Sequence, residues 1–124
     1  MKKLFYLLAC SIMIMAAACS QGASAVNKAY EQAQKGENPE KVATTLCNGQ
    51  IDCSALSTDE VNKLGACIGY VTATGLFSSN FQDQVDMHQF GDLLEGYRKV
   101  EMNQTDAQKE QIMEMTKQLL NPAP

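Results

Sequence analysis

Ser57 and Glu60 stand three residues apart directly ahead of an apolar series, and no other feature of the chain restricts its fold as strongly. A serine at a helix N-cap accepts the N–H of the third helical residue. A glutamate at that residue reaches back to the cap's own N–H. Asp59 adds negative charge where the helix dipole is positive. Val61, Leu64, Ile68 and Val71 follow at helical intervals, and Gly75 marks the stop. Beside that stripe Gly65, Gly69 and Ala73 recur at every fourth position and form a ridge of small residues. Each glycine inside a helix costs about 1 kcal/mol relative to alanine. Close approach of another backbone is the usual compensation. The spacing predicts one long helix whose ridge a second helix must approach.

The rest of the chain repeats this pattern with weaker signals. Val26, Ala29, Tyr30 and Ala33 recur at helical spacing before Gly36, a natural stop. Asn38-Pro39 reads as an N-cap followed by proline at the first helical position, and Val42 and Leu46 supply the apolar side. Asn48-Gly49 then forces a turn. Residues 76–84 read as a loop. Asp86 and Gln89 cap a further helix with Met87, Phe90, Leu94 and Tyr97 on one face, and Gly91 and Gly96 predict that it is short. Thr105 and Gln108 form a second capping-box pair ahead of Ile112, Met115 and Leu119, with Met113 and Leu120 beside them. No alternating strand pattern is present. The expectation is an all-α fold, a small bundle of short helices.

Met1-Lys2-Lys3 is a short positive segment, and Leu4 to Ala18 is a charge-free apolar run. That run is shorter than the roughly 20 residues of a membrane span and suits a secretory signal. Ala16-Ala17-Ala18 ahead of Cys19 resembles the bacterial lipobox, with Ala16 where leucine is more common. The resemblance implies a signal peptide over 1–18 and acylation of Cys19, which anchors the chain through more than one acyl chain. The alternative is ordinary cleavage after Ala18 or Ala25. Cleavage before Cys10 would leave too short an apolar segment. Ser20 follows the cysteine where aspartate would retain a lipoprotein in the inner membrane. The expected location is therefore the cell envelope, lipid-anchored at the outer membrane and facing the periplasm. Residues 19–25 read as the lipidated cysteine and a tether.

Removing Lys2 and Lys3 takes the formal charge from −4 to −6. An acidic chain with a single arginine excludes nucleic acid as a primary partner. One histidine, no tryptophan and 6% aromatic residues leave little for an active site or an aromatic pocket. Cys47 and Cys53 flank the Asn48-Gly49 turn, and an oxidising periplasm favours a disulfide between them over free thiols. Their spacing is not Cys-x-x-Cys, which argues against redox catalysis. Cys67 reads as a small buried hydrophobe, or as a link to its counterpart in a second subunit. His88 lies near Asp83, Asp86 and Asp92, but a helix cap and a solvated polar face account for them. Met87, Met102, Met113 and Met115 suit gap-filling in a core or interface better than copper ligation. No cofactor or metal is expected.

Lys63-Leu64, Ile68-Gly69-Tyr70, Ala73, Val85-Asp86, Phe90 and Thr105 together resemble the N-terminal helical domain of FKBP-type peptidyl-prolyl isomerases of the macrophage infectivity potentiator kind. The resemblance runs over about half the chain, 57–120. Its departures are about two extra residues before Val85, and Leu93 where the family often has a small residue. It implies an interlocking dimerisation module with Leu64, Gly65, Ile68, Gly69, Ala73 and Phe90 at the interface. It also implies no isomerase activity, because the family's catalytic domain would have to follow the last helix. The expected organisation is a signal peptide, the tether, short helices and a Cys-closed loop over 26–56, the module, and a tail over 121–124. Expected partners are a second copy, a full-length FKBP-type isomerase, and the membrane through the lipid anchor. Two competing readings are a periplasmic thiol-redox component and a lipoprotein that binds a ligand or peptide.

Overall fold

The structure, a computed structural model, describes residues 22–76 and 78–121. The expectations for the signal peptide, Cys19 and Ser20 fall outside the described residues. Six α-helices occupy most of the rest: α1 over 22–34, α2 Pro39–Asn48, α3 Thr58–Thr74, α4 Ser79–Gln84, α5 Met87–Glu101 and α6 Asp106–Leu120. One 3-10 turn, Cys53–Ala55, precedes α3. There is no strand among the described residues, so the fold is all-α.

The helix starts follow local chemistry. The Ser57 hydroxyl accepts the Glu60 N–H while the Glu60 carboxylate accepts the Ser57 N–H at 2.8 Å. Thr105 and Gln108 repeat the exchange at the start of α6. The Asn38 side chain accepts the Lys41 N–H, with Pro39 at the first position of α2. Gly36 ends α1 with φ of +75°, a left-handed conformation that glycine adopts without a Cβ penalty.

Three expectations are corrected. Residues 22–25, read as tether, are the first turn of α1. A Cβ on Gly49 would collide with the Cβ of Ala25, so this glycine lets the turn after α2 press against that first turn. The stretch 76–84 is not all loop: Ser78 caps α4 by accepting the Phe81 N–H. Phe81 is fully buried, with its ring edge-on to Phe90 at 5.6 Å between centroids. Helix α5 is not short. Asp86 accepts the N–H groups of both His88 and Gln89, Arg98 and Lys99 lie in the last turn, and Phe90, Leu93 and Tyr97 are buried. Burial of such side chains contributes about 1.5–3 kcal/mol each, and three of them outweigh the cost of Gly91 and Gly96. The buried face also runs through Leu93, leaving Leu94 half-buried and Met87 at the surface.

Helix α3 is the centre of the bundle. Eight of its residues are buried, including Leu64, Ala66, Cys67 and Val71. Helix α1 packs on it with Val26, Ala29 and Ala33 inward. At their edge the Lys63 ammonium donates to Asn27 Oδ1 at 2.9 Å. The Tyr70 hydroxyl donates to the Glu37 carbonyl at 2.6 Å, tying α3 to the turn between α1 and α2.

Candidate interaction site

The ridge predicted on α3 does receive a helix, and that helix is α6 of the same chain. A Cβ on Gly65 would run into the Tyr97 hydroxyl and come within 2.9 Å of Ile112 Cγ2. A Cβ on Gly69 would lie 2.7 Å from Thr116 Cγ2. Both contacts advance by one turn in the same direction, so α6 runs parallel to α3 along a seam without side chains on one side. Among α2 to α5, only α3 makes broad contact with α6. The third ridge residue, Ala73, is exposed.

Of the residues expected at an interface between copies, Leu64 and Phe90 lie in the interior of the single chain. Gly65 lies beneath Ile112 and Tyr97, and Ile68 and Gly69 are half-buried beside α6. The structure thus brings Gly65, Ile68 and Gly69 together under α6, places Leu64 and Phe90 in the core, and leaves Ala73 outside.

Helix α5 reaches this region from the other side through Tyr97. Between α5 and α6, with α3 as the floor, lies a trough of about 600 Å³. Ile68, Leu94, Ile112 and Met113 make it apolar, while Arg98, Glu101 and Lys117 stand in its lining as charged groups. Met113 is 60% exposed and Leu120, two turns further along the same face, is also at the surface. Burial raises the Tyr97 phenol above its ordinary value. A larger groove, about 840 Å³, lies over α1 and α2 and is lined by hydroxyls and amides such as Thr44, Thr45 and Asn48.

The expected disulfide is not formed: Cys47, Cys53 and Cys67 are free thiols. Cys47 lines a small cavity with Gln89 and Asp92. The Cys53 sulfur instead lies 3.7 Å from where a Gly96 Cβ would be. The two thiols therefore face different turns of α5. Burial raises the Cys47 thiol, with Asp86 adding to the shift, and burial raises Cys53, with Asp52 acting in the same sense. Raised thiols are the opposite of an activated nucleophile. Cys67 has no solvent exposure, and burial pushes its thiol up to about 12. It sits as the small buried hydrophobe the first of its two readings expected.

His88 and Asp92 face one another at 4.0 Å on an open surface, as a solvated pair. No group of three His, Cys, Asp or Glu side chains suited to a metal ion occurs among the described residues. Of the four methionines, only Met115 packs against the core. Two features escaped the sequence reading. Asn62 is buried on α3 with its Oδ1 lacking a partner, and the trough joins residues from three helices.

No helix among the described residues is long and apolar enough to cross a membrane. Comparison of the chain with family models, with curated proteins and with solved structures found no match.

Proposed function

We propose that this chain is a non-catalytic, lipid-anchored envelope protein whose helical body pairs with a second copy. In this reading Cys19 holds it at the outer membrane on the periplasmic side, and it acts as an interaction component. The observation that carries the pairing is the seam between α3 and α6. Helix α6 has one buried side chain, Leu119, and among α2 to α5 its main neighbour is α3. It joins α5 through a short connection at 102–105. A helix held by one neighbour through glycine-matched contacts can occupy the equivalent seam of another protomer at little cost, which is how exchanged dimers arise. The same logic extends to a full-length isomerase carrying a module of the resembled kind, and such mixed pairs would hold that enzyme at the membrane.

The test is the solution mass of the chain from Ser20 onward, which retains every described helix. A dimer at micromolar concentration is expected, and Gly69→Leu should abolish it by displacing Thr116. A strict monomer at high micromolar concentration would exclude self-pairing. Coexpression with a tagged isomerase tests the mixed pair, and recovery of homodimers alone would exclude it. Acylation is read separately, as a mass increase on the mature protein that Cys19→Ala removes.

A further inference from the structure

The trough between α5 and α6 is apolar at its base and basic at its edges. Its base and lower walls are Ile68, Leu94, Ile112 and Met113, and a thioether adapts to the shape of what it meets. Arg98 stands on the α5 wall and Lys117 on the α6 wall, with Glu101 one turn from Arg98 as the single carboxylate in the lining. Neither Arg98 nor Lys117 forms an ion pair with a carboxylate among the described residues. Arg98 is also the only arginine of a chain with formal charge −4. Two uncommitted cations on opposite walls of an apolar trough select a ligand with an apolar body and an anionic end. The planar guanidinium fork pairs with a carboxylate through two parallel hydrogen bonds.

The dimensions limit the body. The lining runs from Leu94 to Glu101 along α5, about 10 Å at the helical rise per residue, which is the length of an alkyl chain of roughly eight carbons. A volume near 600 Å³ falls in the ordinary range of small-ligand sites. We propose that the trough binds a medium-chain carboxylate, its alkyl chain against Ile68, Leu94 and Met113 and its carboxylate between Arg98 and Lys117. The proposal stands apart from the pairing of copies.

Decanoate is the probe, titrated below its micellar concentration into the chain from Ser20 onward and followed by amide NMR shifts and calorimetry. Decanol and decyltrimethylammonium are the comparators. Saturable one-to-one binding of decanoate is expected, with shifts centred on Ile68, Leu94 and Met113. Both comparators should bind at least about tenfold more weakly, the factor a charged hydrogen bond supplies. Arg98→Gln combined with Lys117→Gln should weaken decanoate by a similar factor and leave decanol unchanged. Both side chains are exposed, so this variant keeps the fold, as its circular dichroism would show. Equal binding of all three amphiphiles, an unaffected double variant, or no saturation would overturn the proposal.

Discussion

Helices α3 and α6 begin alike and end differently. Each opens with a reciprocal capping box, and they lie side by side along one seam. Yet α3 has eight buried residues and α6 has one. The capping exchange decides where a helix starts, because it acts within one turn. It does not decide how firmly the helix is held, which depends on the number of neighbours. Helix α3 is enclosed by α1, α2 and α6, whereas α6 packs broadly on α3 and faces α5 only across the trough. Helices of the second kind open at lower free energy than the body they rest on.

Core truncation is the strongest way to break this comparison. Leu64→Ala should destabilise the chain by about 3 kcal/mol in denaturant unfolding, because a fully enclosed leucine leaves a cavity. Leu119→Ala on α6 should cost less, since the neighbouring side chains there can relax toward solvent. Equal losses would mean that α6 is as firmly integrated as α3.

Alkaline pH gives the next largest effect, and its largest single component falls on α3. The Cys67 thiol is held near 12 when folded, against an ordinary value of 9.0. Below pH 9 both states keep the proton and stability is unaffected. Above it the unfolded chain ionises while the folded one cannot, so stability is lost as pH rises toward 12. At pH 10.5 the loss is about 2 kcal/mol. Cys67→Ala should remove this component while leaving the slope from the tyrosines and from Cys47 and Cys53, all of which burial also raises. An unchanged pH profile in that variant would show that Cys67 does not cause the loss.

The smallest effect sharpens the other half of the comparison. Ser57→Ala and Thr105→Ala each remove one cap and should each cost about 1 kcal/mol. Near-equal losses are expected despite the unequal burial of the two helices. Amide exchange should then show Thr105→Ala speeding opening of α6 alone, while Ser57→Ala affects the whole body. A loss for Thr105→Ala spread evenly over all helices would mean that α6 does not open separately.

The parts legible in the sequence were those governed within a turn or two. Ser57 with Glu60, Thr105 with Gln108, Asn38 with Pro39 and the Gly36 stop all stand where they were expected. Helix α4 was not legible, because its one buried apolar residue, Phe81, lies among serine, asparagine, glutamine and aspartate and is held by Phe90 from another helix. The first turn of α1 was hidden for a similar reason: Gly49 makes room for Ala25 only once the two segments meet. The ridge itself announced a close partner. Whether that partner was α6 or another molecule depended on Ile112 and Thr116, distant in sequence. The trough was the least legible, since Arg98 and Lys117 belong to different helices and neither has a recognisable motif.

The early start of α1 bears on how an anchored molecule would be oriented. Gly22 is already helical, and a Cβ there would lie 3.4 Å from the Ile51 backbone. Two residues, Ser20 and Gln21, separate it from Cys19, and the three residue steps reach at most about 10 Å. Under the proposed acylation this leash works as a pivot: the body tilts about its α1 end but stays close to the lipid surface. Copies in one leaflet would then search for one another in a plane, at matched heights, and meet at a far higher local concentration than free molecules. A Gly/Ser insertion after Ser20 would lengthen the leash and lower pairing on vesicles while leaving it unchanged in solution.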